Sequence, residues 1–199
     1  MVTLPDGSKI RLNAASTLKF PSTFNKLNTR TVELRGEAYF DVTHNPSQPF
    51  IIKSGNQEIK VLGTHFNLNT YDGNSMKTTL ISGSVQVSLL QEPDQKRVLK
   101  PGEQAIANNR SLEIVKIDTA IAVGWKNNEF IFKDEKFETV LNRLSSWYDV
   151  DFEYTGKKPD FRITGFMGRK EKLSKVLATI ASNGKVKFKI EGRVVHVMN

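Results

Sequence analysis

Along the first part of the chain, apolar and polar residues alternate with a period of two. Val2/Leu4, Ile10/Leu12, Leu18/Phe20, Val32/Leu34, Ala38/Phe40/Val42, Phe50/Ile52, Ile59/Val61, Phe66/Leu68, Met76/Thr78/Leu80 and Val85/Val87/Leu89 all have polar neighbours. Successive side chains of a strand point to opposite faces, so each run reads as a half-buried strand. Turn chemistry separates the runs: Pro5-Asp6-Gly7-Ser8, Arg35-Gly36, Asn45-Pro46, Ser54-Gly55-Asn56, Asp72-Gly73-Asn74, Ser82-Gly83-Ser84, Pro101-Gly102 and Asn108-Asn109. Gly, Asn and Asp tolerate the left-handed backbone that such turns demand. Many short strands at this spacing predict an all-β sandwich or a solenoid-like stack over residues 1–120.

After Trp125 the period changes. Phe130-Ile131-Phe132 predicts a short strand, and Asp134 is placed to cap a helix. Phe137, Val140, Leu141 and Leu144 stand at i, i+3, i+4 and i+7, one face of an α-helix. Val150, Phe152 and Tyr154 alternate as a strand. Leu173, Val176, Leu177 and Ile180 repeat the helical spacing, and Val186, Phe188 and Ile190 repeat the strand. An offset of 36 carries the first set onto the second and Phe130 onto Phe166. The economical reading is an internal repeat: residues 126–199 form a small α/β domain made of two βαβ repeats, closed by a last strand over 193–198. The chain as a whole is mainly β.

Composition narrows the chemistry. In 199 residues there is no cysteine, which excludes disulfides, thiol nucleophiles, iron–sulfur clusters and cysteine-ligated zinc. The only histidines are His44, His65 and His196, and none has a second histidine at ligand spacing, so neither metal nor cofactor is expected. No stretch approaches the roughly 20 apolar residues of a membrane span. The opening Met1-Val2-Thr3-Leu4-Pro5 reads as the middle of a strand, not as a secretory leader, which suggests a fragment whose targeting segment lies elsewhere. The net charge of +8 raises the question of nucleic acid. The basic residues are spread, however: 14 basic against 11 acidic over residues 1–125, and 15 against 10 over 126–199. A solvated surface, or an acidic partner face, is the better assignment.

Catalytic signatures are absent. There is no Walker sequence, no Gly-x-Gly-x-x-Gly after a strand and no Gly-x-Ser-x-Gly elbow. Gly165-Phe166-Met167-Gly168 lacks the third glycine of a phosphate cradle and reads as a strand end with flexible flanks. Glu37 and Asp41 lie four apart on one strand face, a carboxylate pair that invites a glycosidase reading; the polar face of a strand is the stronger reading. Trp125, Trp147 and Tyr148 are compatible with a sugar or partner platform; Trp147-Tyr148, at a helix end, reads rather as a core plug.

Several blocks then resemble one family. Leu4-Pro5-Asp6-Gly7-Ser8, Leu12-Asn13-Ala14-Ala15-Ser16, Val32-Glu33-Leu34-Arg35-Gly36-Glu37-Ala38-Tyr39-Phe40-Asp41-Val42, Val61-Leu62-Gly63-Thr64-His65-Phe66-Asn67-Leu68 and Leu99-Lys100-Pro101-Gly102-Glu103-Gln104-Ala105 stand in the order of the FecR-like domain. The region from Trp125 through Tyr148-Asp149-Val150 to the end resembles the short C-terminal domain of these proteins, which is similar to the secretin and TonB short N-terminal module. Asn128 stands where the family often has Gly, and Phe20 where it often has Tyr.

The resemblance implies the periplasmic region of a transmembrane anti-sigma regulator of the Bacteroides type. Its implied partner is the N-terminal signalling domain of a TonB-dependent outer-membrane transporter. Relay to an extracytoplasmic-function sigma factor would run through a cytoplasmic part and a membrane helix that this chain does not match. Such a receiver needs a binding surface and no catalysis. The terminal strand, Arg193, Val194, Val195, His196 and Val197, is the expected partner-binding site if it lies at a sheet edge and accepts a partner's strand. The alternative is a ligand-binding module for a sugar or siderophore at the domain junction, resting on Trp125.

Overall fold

The computed structural model describes residues 1–71, 75–92, 94–108 and 110–198. The predicted turn at Asp72-Gly73-Asn74 and residue Asn109 lie outside the described residues. The chain separates into two compact units, Met1–Val123 and Gly124–Asn199.

The first unit contains β1 (Val2–Thr3), β2 (Lys9–Leu12), β3 (Thr17–Lys19), β4 (Arg30–Arg35), β5 (Glu37–Asp41), β6 (Phe50–Ser54), β7 (Gln57–Val61), β8 (His65–Asn69), β9 (Met76–Ser82), β10 (Val85–Leu89), β11 (Lys96–Leu99), β12 (Glu103–Ala107) and β13 (Leu112–Lys116), then a short helix α1 (Thr119–Val123). They form a seven-stranded sheet in the order β1-β2-β5-β8-β9-β12-β13 and a six-stranded sheet in the order β11-β10-β7-β6-β4-β3. All neighbours are antiparallel except β4 and β6. The inward positions of both sheets share one core, so of the two predicted architectures the sandwich is the one realised. Phe40 of the first sheet stacks on Phe66 at 4.9 Å and meets Phe50 of the second sheet edge-on at 6.4 Å. Each such fully buried ring contributes about 1.5–3 kcal/mol.

One turn shows why its glycine is required. Gly36 has φ 96°, and a Cβ there would run into the backbone and hydroxyl of Ser16. That hydroxyl accepts the N–H of Glu37 at 2.9 Å, so the close approach holds the start of β5 in place.

A charge sits inside the sandwich. Arg30 continues the inward phase of Val32 and Leu34 and is fully buried. Its guanidinium donates to the Asp6 carboxylate, Thr43 O and Gln48 O, each at 2.8 Å, with longer bonds to Asn45 O and Leu62 O. It also lies 5.4 Å from the Phe50 ring centroid. The positive charge assigned from sequence to a solvated surface is therefore partly internal. A buried cation is tolerable because its donors are used and a carboxylate faces it.

The second unit contains a 3-10 turn (Gly124–Asn127), β14 (Glu129–Lys136), α2 (Phe137–Tyr148), β15 (Asp151–Thr155), β16 (Arg162–Gly168), α3 (Leu173–Ala181), β17 (Lys187–Glu191) and β18 (Val194–Met198). The helices bury Val140, Leu141 and Leu144, and Val176, Leu177 and Ile180, as the spacing predicts. Asp149 ends α2 in the left-handed conformation (φ 57°), its N–H donating to Ser145 O. Asn128, with φ 62°, keeps the left-handed turn expected of it.

Three expectations are corrected here. First, the repeat is real in element order, and an offset of 36 carries β15 onto β17, but it is not a pair of single-sheet βαβ units. The strands before and after each helix lie in different sheets, β14-β16 and β15-β18-β17. Second, Phe130 and Phe166 are not equivalent: Phe130 is 2% exposed and Phe166 is 79% exposed. Phe130 pairs with Met167, whereas Phe166 pairs with Ile131, and a one-residue slip reverses the face of a strand. Gly165–Gly168 forms the last four residues of β16, the strand end expected of it. Third, Asp134 caps no helix. It occupies an irregularity of β14, at φ 50°, and accepts from Arg162.

Candidate partner-binding surface

The terminal strand does not lie at an edge. β18 pairs in parallel with β15 (Asp151↔Val194 to Thr155↔Met198) and antiparallel with β17 (Lys187↔Met198 to Glu191↔Val194). Strand addition at Arg193, Val194, Val195, His196 and Val197 is blocked, because both sides of the strand are taken. Val195 and Val197 point inward and are buried. A strand with apolar residues on its inward face is favoured at the sheet centre, and being last in the chain does not make it last in the sheet.

What β18 does present is an outward polar row. Glu153, His196 and Lys189 lie opposite one another across the three strands. His196 stands 3.7 Å from Glu153 and 3.3 Å from Glu191. Lys189 and Glu191 form an exposed pair at 2.6 Å; it raises the pKa of the lysine and lowers that of the carboxyl. Arg193 pairs with Asp149 at 2.5 Å, also in solvent. Exposed pairs of this kind contribute little to stability.

The other candidates are placed in the framework. Glu37 is 4% exposed and accepts amide hydrogens from Asn13 at 2.6 Å and Asn67 at 2.9 Å. Asp41 is half exposed and meets His65 at 3.0 Å across the β5–β8 pair. The two carboxylates thus serve different partners. Burial, with Asp41 adding to it, raises the pKa of the Tyr39 phenol between them in sequence. Glu37→Gln keeps one accepting oxygen and turns the other into a donor that faces the amide hydrogens of Asn13 or Asn67. The expected result is a loss of about 1–3 kcal/mol in denaturant unfolding, with no hydrolytic activity to lose.

Trp125 is 6% exposed, and Trp147 and Tyr148 pack on the core of the second unit. The face of Trp147 is occupied by the Arg169 guanidinium, 3.6 Å from the ring centroid, and Phe130 meets the ring edge-on at 6.5 Å. Trp147 Nε1 donates to Arg169 O at 2.8 Å, and Arg169 Nη1 to Trp125 O at 3.2 Å. Burial raises the pKa of Tyr148, whose hydroxyl donates to Glu171 O. These rings are a core plug and not a platform. His44 packs against Gly63, which has no room for a Cβ there. Among the described residues no group of three or more His, Cys, Asp or Glu is arranged to hold a metal. No helix among them is long and apolar enough to cross a membrane.

Two residues that matter to this architecture escaped sequence reasoning, Arg30 and Arg169. The signal was present: each continues the inward alternation of its strand by one step. Arg30 precedes Val32 and Leu34, and Arg169 follows Ile163, Gly165 and Met167.

Comparison with known proteins then bears on the whole chain. Residues 1–86 match the family model described as FecR protein, and residues 129–197 match the model described as FecR, C-terminal. No curated protein is a match. The chain is similar to two crystal structures of a candidate anti-sigma factor from Parabacteroides distasonis. One, at 1.65 Å resolution, has a TM-score of 0.88 at 28% identity, covering 98% of this chain and 92% of that one. The other, at 2.50 Å, has a TM-score of 0.89 at 28% identity, covering 100% and 92%. With the two models of one family matched in order, and the fold shared over nearly the full length, the chain belongs to the FecR family and is a FecR-like regulator.

Proposed function

We propose that this chain is the periplasmic signal-receiving region of a transmembrane anti-sigma regulator. It binds the N-terminal signalling domain of a TonB-dependent outer-membrane transporter, and the bound state is relayed to an extracytoplasmic-function sigma factor through parts of the regulator outside this chain. The observation that carries the reading is the matched order of both family models, together with a likeness to a candidate anti-sigma factor over nearly the whole chain. The residue-level chemistry supports it: the carboxylate pair is split between framework contacts, and the aromatic residues fill a core. A receiver works by contact, with no bond made or broken. The reading as a sugar- or siderophore-binding module loses the feature that motivated it, since Trp125 is buried.

The test is titration calorimetry of the chain against the purified N-terminal signalling domain of a TonB-dependent transporter of the same organism, in parallel with a thermal-shift panel of glycans and siderophores. Saturable one-to-one binding of the domain, with no shift from the small molecules, is expected. Stabilisation by a glycan or siderophore without binding of the domain would reverse the assignment.

A further inference from the structure

A partner strand can join only where a sheet has an open edge, and the open edges differ sharply in chemistry. Charges on an edge strand oppose strand addition. β17 carries Lys187, Lys189 and Glu191, and β15 carries Asp151 and Glu153. β14 is charged from Lys133 to Lys136 and is irregular in the same stretch. In the sandwich, β3, β11 and β13 each bear at least one charged residue, and β1 is two residues long. β16 offers the longest uncharged run of any open edge. It pairs with β14 alone, its one charged residue is Arg162 at its start, and the six residues from Ile163 to Gly168 carry none.

The same strand holds an unexplained aromatic. Phe166 is 79% exposed, more than any other large hydrophobic among the described residues except Met1. It lies opposite Ile131, whose side chain is wedged against Gly124 and so forms a fixed floor beside it. A Cβ at Gly165 would meet nothing within 4 Å, so the sheet face is uncovered at that position, and a glycine there adds no side chain to hinder an approaching strand. Beyond the strand, Lys170, Glu171 and Lys172 are exposed; Glu171 is taken by Lys175 at 2.9 Å, which leaves the two lysines as the net charge there.

We infer that the free edge of β16 is the docking strand of the second unit. It accepts an extended, uncharged segment of the partner protein by β-augmentation, with an apolar partner side chain covering Phe166 and an acidic residue at the segment's end meeting Lys170 and Lys172. The backbone hydrogen bonds supply affinity, and Phe166 and the two lysines set register. A second copy of this chain is a poorer occupant. Antiparallel pairing of two β16 edges would bring Lys170 and Lys172 of each copy toward Arg162 of the other. The inference rests on the partner-binding function proposed above and names the surface that performs it.

The test uses the full chain and the same signalling domain. Wild type, Phe166→Lys and the edge control Ile190→Lys on β17 are titrated, and amide hydrogen exchange is recorded with and without the domain. Phe166→Lys is expected to weaken binding roughly tenfold or more, as for an exposed aromatic at the centre of an interface, at an unchanged unfolding midpoint. Ile190→Lys should stay within about twofold of wild type, and exchange should slow within 163–168. Unchanged affinity for Phe166→Lys, or protection falling on 151–155 or 187–191 instead, overturns the inference while leaving the proposed function standing. A wild-type chain that binds no signalling domain overturns both. A dimer of the chain alone that Phe166→Lys dissolves gives the edge to self-association and overturns the partner assignment.

Discussion

Replacing Arg30 with alanine is expected to destabilise the sandwich by about 3–5 kcal/mol, enough to consume much of the stability of an ordinary domain. The argument is one of unmade partners. The guanidinium is fully buried and bonds the Asp6 carboxylate and the carbonyls of Thr43 and Gln48 at 2.8 Å each. Asp6 in turn accepts the backbone N–H and hydroxyl of Ser8, which is itself fully buried. Alanine removes the charged link between the first turn of the chain and the loop from Thr43 to Gln48, leaving there the Ser8 hydroxyl, which accepts the Thr43 N–H at 3.1 Å. It also leaves a nearly buried carboxylate facing carbonyl oxygens. Arg30→Lys should recover little, since an ammonium is a point charge and cannot match a planar fork of donors. Arg30→Met combined with Asp6→Asn should recover part of the loss, because the stem is kept and the orphan charge is gone. Urea unfolding followed by far-UV circular dichroism measures all three. A midpoint for Arg30→Ala within about 1 kcal/mol of wild type would show that water takes over the network.

The strands and helices were legible in the sequence because burial imposes the period. Ile10, Phe40, Ile52, Ile59 and Phe66 were read from alternation alone and are fully buried. The order of the strands in the sheets was not legible, because period-two patterning says which face is inward and nothing about which neighbour lies alongside. That is why Arg193–Val197 was placed at an edge and lies in the centre. The repeat was visible in the helices, where i, i+3, i+4 spacing tolerates small errors. It misled at Phe166, where a slip of one residue turns a core position into a solvent position. Arg30 and Arg169 were hidden by a rule of composition, that arginine belongs outside. Both obey the alternation of their strands, and both lie over aromatic rings, Phe50 in the first unit and Trp147 in the second. A cation in phase with buried apolar neighbours is a sequence signal in its own right, since only a residue with a long apolar stem and internal acceptors can occupy such a position.

Arg169→Ala is the counterpart in the second unit, with an expected loss of about 3 kcal/mol. The side chain is 4% exposed and lies on Trp147 at 3.6 Å and near Phe130 at 5.1 Å. A desolvated cation–π contact contributes about 2 kcal/mol, and the Trp125 carbonyl loses a donor besides. Alanine also leaves a cavity between the two rings. Arg169→Met fills that space and isolates the charge; if it is as stable as wild type, packing alone holds the plug and the cation–π account fails. Trp125 and Trp147, the only tryptophans, both lie in this unit, so indole fluorescence reports its unfolding directly. The variant also separates two routes to a binding defect. The Arg169 backbone N–H donates to Asn128 O just past β16, and its side chain anchors that end of the strand to the core. Arg169→Ala should therefore weaken partner binding in step with lost stability, recovering as the temperature is lowered and the unit refolds. Phe166→Lys should weaken it at full stability, because it alters the docking edge and leaves the anchor in place. Equal dependence of the two defects on temperature would mean that Phe166 acts through the fold and not at the interface.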